Sequence, residues 1–353
     1  MQVIREREEK MADRSSLVPD QMWRYPAGVV EWLTRYGQQV RAPIEITRVG
    51  VGQSNITTVI VDADGRQWVM REPPPGEAAS AAHDIEREAR ILRSLAASGV
   101  PVPRVVGTGH GPVGVPFLVM EKVAGVALEM EGDARTLDLN SRRRLGLSVA
   151  ATLARLHRLD PGILGIPVST IPYVVRQLRR LTAAWERHGE GSKHAGEWRA
   201  LRARLEVRAP AAPAPVIVHG DYRLSNLLVG NGVITAVLDW ELCTIGDPLA
   251  DLAWLLDDWR PPEEPAIVMP SPTRAGGFPD RDEMVGVYRE LTGFNLDALD
   301  YYRAFSQWRA ASLLQGVLVR RRRGAMGTHA AVGCDELDHS IGVLLASAGA
   351  CLA

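Results

Sequence analysis

The chain has 353 residues, more than one hydrophobic core usually organises, so two lobes are expected. Hydrophobic residues make up 46% and charged residues 24%, an ordinary globular balance, and a formal net charge of −1 gives no field favouring nucleic acid or a membrane surface. Cys243, Cys334 and Cys351 lack metal-ligand spacing and are too few for a disulfide framework, which fits a reducing cytoplasm.

The opening stretch, residues 1–20, is charged, has no apolar face and no signal-peptide core, and reads as a tail. Trp23 to Tyr36 carries Val29, Trp32, Leu33 and Tyr36 at helical spacing. Ile44 to Met70 is β-rich, with a hairpin turn at Asp62-Ala63-Asp64-Gly65. Within it, Gly50 and Gly52 would let backbone approach a phosphate, and the amides of Gln53, Ser54 and Asn55 could cradle it. A glycine pair alone is weak evidence, and an ordinary turn would read the same.

Arg71 ends the third strand. Asp84 to Ser98 is a helix with Ile85, Ala89, Leu92, Leu95 and Ala96 inward. Glu88 shares that face, so it either meets a cation, Arg71 being the candidate, or reaches solvent at the boundary. Gly99-Val100-Pro101-Val102-Pro103 breaks the helix, Phe117 to Met120 is a fifth strand, and Glu121 to Gly125 connects the lobes. These readings divide the chain into a tail at 1–20, an N-terminal lobe at 21–123 and a C-terminal lobe at 124–353. Ser141 to Leu159 is helical, with His157 a packed residue in preference to a ligand, and Ile171 to Trp198 reads as a helical pair.

The densest information lies in Val216 to Trp254. His219-Gly220-Asp221 follows the strand Val216-Ile217-Val218, and Asn226 follows five residues after Asp221. Gly230-Asn231-Gly232 is a turn, and Val233 to Leu238 returns to Asp239. A hairpin folded there brings Asn226 and Asp239 together, two oxygen donors suited to a hard cation. Asp247-Pro248 starts a helix that carries Asp251 one turn in. Residues 260–280 read as a Pro/Gly-rich loop, and helices are expected over Asp282 to Thr292, Leu296 to Gly324 and Ala330 to Leu352. On the second of these, Arg309, Leu313, Gly316 and Arg320 share a face.

His-x-Asp-x-x-x-x-Asn followed by a strand-end Asp resembles the protein-kinase catalytic loop and metal-binding Asp. Gly220 and the Asp239-Trp240-Glu241 triplet make it more similar to the aminoglycoside phosphotransferase and choline kinase family. Four stretches are most similar to the kinase-like domain fused to some acyl-CoA dehydrogenases: Val69 to Gly76, His83 to Glu88, His219 to Leu228 and Leu238 to Leu252. The resemblance implies an α+β, bilobal protein-kinase-like fold with a β-rich N-terminal lobe and a mostly helical C-terminal lobe. It implies an ATP- and magnesium-dependent kinase of a small-molecule hydroxyl. Asp221 would orient the acceptor and take its proton, and Asn226 and Asp239 would hold magnesium. Gly52, Ser54 and Asn55 would cover the nucleotide; Met120, Glu121 and Val123 would hold adenine; Asp251 would support the catalytic loop.

A kinase places a lysine where Arg71 stands. Arginine there is usual in the acyl-CoA dehydrogenase-linked group, with Glu88 its partner. Arg223 would either neutralise the transferred phosphoryl group or pair with a nearby carboxylate. The C-terminal helices wall the acceptor site in this family, so Arg309 and Arg320 point to an anionic acceptor, such as a hydroxyacyl-CoA. The alternatives are an antibiotic kinase, for which Asp257-Asp258 and Glu263-Glu264 are the acidic pairs, and a nucleotide-binding pseudokinase, supported by Arg71 alone. Expected partners are a small hydroxylated acceptor, no nucleic acid and no membrane, for a monomer or homodimer.

Overall fold

The computed structural model describes residues 22–49, 55–74, 84–111, 114–189, 191–323 and 332–353. The chain divides into two compact units, Met1–Ala97 with Val102–Val123, and Ser98–Pro101 with Ala124–Ala353.

In the first unit, helix α1 (Pro26–Arg35) has proline in its first turn, where the missing N–H costs nothing. Strands β1 (Glu45–Val49), β2 (Ile56–Val61) and β3 (Gln67–Glu72) follow, then helix α2 (Ile85–Leu95) and strands β4 (Val105–His110) and β5 (Pro116–Glu121). They form an antiparallel sheet in the order β1-β2-β3-β5-β4. The β2–β3 turn is tied by buried Asp62, whose carboxylate accepts the amides of Arg41 (3.0 Å), Asp64 (3.0 Å) and Arg66 (2.8 Å). Ile60, Trp68, Met70, Phe117 and Val119 pack under Val29 and Leu33 of α1.

Strand β4 escaped sequence assignment because Gly107 and Gly109 remove its apolar alternation. Both glycines make room for aromatics. A Cβ at Gly107 would lie 2.4 Å from the Tyr36 ring, and one at Gly109 2.6 Å from Phe117 and 2.7 Å from Trp32. Helix α2 is capped by Asp84, which accepts the Arg87 amide at 2.8 Å.

The second unit begins with strand β6 (Val126–Ala127) and helices α3 (Glu131–Arg135), α4 (Leu139–His157), α5 (Tyr173–His188) and α6 (Ala195–Val207). Strands β7 (Val216–Val218), β8 (Leu227–Gly230), β9 (Val233–Val237) and β10 (Thr244–Gly246) follow. Helices α7 (Pro248–Asp258), α8 (Arg281–Thr292), α9 (Leu299–Arg322) and α10 (Cys334–Cys351) complete it. One small sheet has the order β6-β8-β9, and β7 pairs with β10. Helix α9 is the unit's axis, packing against α5, α6, α7 and α10. Trp185, Trp198 and Trp308 stack in a column, with centroids 4.4 and 4.8 Å apart, joining α5, α6 and α9. Each such pair adds about 1 kcal/mol beyond area burial. The small-residue face of α10 buries Leu337, Ile341, Leu344 and Ala348. Among the described residues, no helix is long and apolar enough to cross a membrane.

Candidate active site

The second unit gathers its polar groups around residues 219–226. Strand β7 delivers the chain to His219 and then to Gly220, which has φ +88°. A side chain there would be strained, and its Cβ would lie 2.8 Å from the Leu242 carbonyl, so only glycine fits. Helix α7 fixes the turn. Asp251 accepts the amides of His219 (2.6 Å) and Gly220 (2.8 Å), one on each carboxylate oxygen. Burial pushes the Asp251 pKa up, but His157, His219 and the Gly220 amide outweigh it and hold the group below the usual carboxylate range. His157 is buried, with Nδ1 2.6 Å from the Tyr288 hydroxyl and Nε2 3.4 Å from Asp251, a packed residue as its sequence context suggested.

His219 is also scaffold. Its Nδ1 accepts the Asp221 amide at 3.2 Å, which assigns the proton to Nε2, donating to the Leu238 carbonyl at 2.8 Å. The ring thereby ties the loop to the end of β9.

Asp221 is held on both carboxylate oxygens. The Trp254 indole N–H donates to Oδ1 at 2.7 Å. The Asn226 side-chain amide donates to Oδ2 at 2.8 Å and to the Asp221 carbonyl at 2.9 Å.

The β8–β9 hairpin turns at Asn231 (φ 54°) and Gly232 (φ 72°), both in the left-handed region that tight hairpins require. Its register pairs Leu227 with Val237, and the Leu238 amide donates to the Asn226 carbonyl at 2.8 Å. Asn226 and Asp239 therefore flank the hairpin's open end. Asp239 has φ 64° and ψ 62°, a left-handed conformation that a non-glycine residue keeps only where its surroundings over-determine it.

Asn226 spends its amide nitrogen on Asp221, which leaves the amide oxygen for a cation. One amide oxygen and one carboxylate suit magnesium, which fills its other positions with phosphates and water. No group of three or more His, Cys, Asp or Glu that could cage a metal occurs among the described residues.

Arg223 pairs with Asp258 at 2.9 Å and donates to the Pro270 carbonyl at 3.1 Å. Of its two sequence readings, the structure draws the carboxylate pair. Arg309 meets a different partner from the one the sequence suggested. It is buried, donates from Nη2 to the Gly220 carbonyl at 2.7 Å, and lies 4.3 Å from the Trp254 ring centroid. A guanidinium spent on loop backbone and an indole face is part of the loop's support. Arg320 is half-buried on the stripe with exposed Leu313.

In the first unit, Arg71 (8% exposed) and Glu88 (2%) form a buried ion pair, the inward-facing alternative for Glu88. Asn55 and Met120 are buried, Met120 opposite Val69. Glu121 is exposed, its amide donating to the Arg104 carbonyl at 2.9 Å, and Val123 is half-buried. Gly52 and Ser54 lie outside the described residues.

Sequence reasoning missed Trp254. The signal was present, because Asp251, Trp254 and Asp258 follow at offsets of three and four and share one face of α7. That face meets the loop in order: Asp251 at residues 219–220, Trp254 at Asp221, Asp258 at Arg223.

The model of the phosphotransferase enzyme family, APH, matches residues 45–286. Acyl-CoA dehydrogenase family member 10 of Mus musculus is 32% identical over 318 residues, covering 87% of this chain and 29% of that protein. The chain thus spans under a third of that relative's length. A crystal structure from Ralstonia eutropha JMP134, provisionally named an aminoglycoside phosphotransferase, superposes with a TM-score of 0.75 at 26% identity, covering 91% of this chain and 97% of the other. An aminoglycoside phosphotransferase in ternary complex with AMP-PNP and hygromycin B shares the fold at a TM-score of 0.61 and 17% identity, covering 90% and 97%. The fold is thus kinase-like, with a five-stranded N-terminal sheet and a mostly helical C-terminal part.

Proposed function

Since the chain belongs to the APH phosphotransferase enzyme family, we propose that it uses ATP and magnesium to phosphorylate a hydroxyl of an anionic small molecule, with hydroxyacyl-CoA thioesters the favoured class. Asp221 orients the hydroxyl and takes its proton as the new O–P bond forms and the bond to the departing ADP oxygen breaks. Asn226 and Asp239 would hold the magnesium, which supplies charge neutralisation on the phosphates when bound. In the first unit, Arg71 braced by Glu88 would be the phosphate-binding cation. Gly52, Ser54 and Asn55 would cover the nucleotide, and Met120, Glu121 and Val123 would hold its base. Arg223 would have to share its charge between Asp258 and the transferred group.

One observation carries the preference for an anion: of the four carboxylates that could attract a polycation, Asp257, Asp258 and Glu264 are already spent on arginines, and Glu263 alone is left exposed without an arginine pair among the described residues. Asp257 pairs with Arg303 at 3.1 Å, Asp258 with Arg223 at 2.9 Å, and Glu264 with Arg260 at 3.6 Å and also with Arg281. Arg180 of α5, by contrast, has no carboxylate within ion-pair distance among the described residues. Arg180 is exposed on α5, with the charge of Arg309 nearby. Arg180 and Arg320 are the arginines to which an acceptor's phosphate or carboxylate would turn. The kinship with acyl-CoA dehydrogenase family members supports a thioester as the carrier of the hydroxyl.

The test incubates the chain with ATP, with magnesium or with EDTA, and with either hydroxyacyl-CoA thioesters or kanamycin-like amines. Magnesium-dependent phosphorylation of the thioesters alone is expected. Turnover of the amines alone would establish an antibiotic-kinase reading instead. Nucleotide binding with no turnover on either class would favour a pseudokinase.

A further inference from the structure

Asp221 is proposed above as the base, but a carboxylate on a loop must also be aimed. A free Asp side chain rotates about two torsions, and each wrong rotamer directs the reactive lone pair away from the acceptor. Here both oxygens are already addressed, Oδ2 by the Asn226 amide at 2.8 Å and Oδ1 by the Trp254 indole N–H at 2.7 Å. The Asn226 contact comes from a residue also proposed to face a cation. The Trp254 contact has no other task.

Three features suit Trp254 to that task. An indole N–H is a donor only, stays neutral at every working pH, and can neither take the acceptor's proton nor compete for it. Its ring is 6% exposed on α7, one helical turn beyond Asp251, so the helix that fixes the loop backbone also fixes the donor. Finally, the Arg309 guanidinium lies 4.3 Å from the ring centroid while its Nη2 bonds the Gly220 carbonyl at 2.7 Å. Arg309 is itself 5% exposed and, among the described residues, has no carboxylate within ion-pair distance. A buried cation over an indole face is attracted by the ring and draws electron density from it, making the N–H a better donor. The same cation pins the carbonyl of the residue preceding Asp221.

We infer that Trp254, held under Arg309, is a positioning residue for Asp221, and that Arg309 acts on turnover through Trp254 and Gly220 without touching the acceptor. The inference rests on Asp221 being the group that receives the hydroxyl proton.

The experiment compares Trp254→Phe, Arg309→Lys, Asp221→Asn and the double variant Trp254→Phe/Asp221→Asn in the full chain. Phosphate transfer from magnesium-ATP to hydroxyacyl-CoA thioesters, or to water, is measured alongside the indole N–H resonances of 15N-tryptophan-labelled protein. Trp254→Phe keeps an aromatic face under Arg309 and deletes the donor together with the indole's five-membered ring. It should lower kcat by about tenfold or more, with the KM for ATP within about twofold of wild type. Arg309→Lys should fall between Trp254→Phe and wild type. In the Asp221→Asn background, Trp254→Phe should cost nothing further, because the group it aims is gone. The Trp254 resonance, identified by its loss in Trp254→Phe, should move in Asp221→Asn and in Arg309→Lys.

Wild-type kcat in Trp254→Phe overturns the inference, as does an equal loss with and without Asp221. An unmoved resonance in Asp221→Asn overturns it even if Trp254→Phe fails to fold, because that variant retains the indole. Full activity in Asp221→Asn would instead overturn the role of Asp221 itself.

Discussion

Arg71 shows how much one residue's chemistry can decide. Lysine and arginine carry the same charge, yet a guanidinium can present separate N–H edges to two anions while an ammonium is a point. Arg71 is 8% exposed against Glu88 at 2%, so one edge of its guanidinium is bound and buried. On the proposed role, another edge meets phosphate. Arg71→Lys should therefore leave the protein folded but raise the KM for ATP by about tenfold, the loss of one charge-assisted hydrogen bond. Steady-state kinetics with varied ATP, beside a thermal melt, checks this. Unchanged kinetics would mean that the arginine is an interchangeable cation. Arg309 gives the complementary lesson. Its spacing on α9 was readable, but its partner was not, because the Gly220 carbonyl and the Trp254 ring come from elements 89 and 55 residues earlier in the chain.

Helix α7 is the element on which the second unit's chemistry is hung. Its length matters because Asp251, Trp254 and Asp258 must reach three successive points of the loop from one face. Its C-terminal turn carries a cost. Burial raises Asp257 and Asp258 to about 6 each, against the opposing pull of Arg303 and Arg223. The sign follows from linkage. Below about pH 4 both folded and unfolded states hold these protons. Between there and about 6 the folded state still holds protons that the unfolded chain has released. Above that range the folded state carries buried charges. These groups therefore stabilise the fold at low pH and lose that contribution as pH rises through about 6. Asp251, whose pKa is lowered, works in the opposite direction. In Asp257→Asn the term disappears. The unfolding free energy of wild type relative to this variant should fall between about pH 4 and 6, by about 3 kcal/mol at most, and then level off. Denaturant melts at several pH values measure it, and a difference that is flat or rises with pH contradicts the assignment.

Across the whole molecule, acid and base nearly cancel: 41 Lys and Arg face 42 Asp and Glu, and only three of the former are lysines. The balance is local as well as global, since Asp257, Asp258, Glu264 and Glu283 of the second unit each pair with an arginine. Solubility should pass through a minimum near the sequence pI of 6.7, where net repulsion between molecules vanishes. Light scattering across pH 5.5 to 8.5 at about 0.15 M salt, near physiological, checks this. Scattering that increases steadily away from that point would show that patches, not net charge, govern association.

The sequence by itself determined the hairpin that carries the candidate site. His219, Asp221, Asn226 and Asp239 lie within 21 residues, and local rules of strand, turn and offset suffice to bring them together. It determined most helices, because their apolar stripes are periodic, and it nominated Arg71 for Glu88, since an inward carboxylate demands a cation. Strand β4 stayed hidden, its glycines shaped by α1 aromatics that no local pattern reveals. Tertiary structure alone decided which acidic residues are available and which are spent, what Arg223 and Arg309 bind, and that Trp254 reaches Asp221. The contacts of Trp254, Arg223 and Arg309 join residues 33 to 89 positions apart. Side-chain identity restricts such contacts to many possible partners; only the packing of α7 and α9 against the loop selects one.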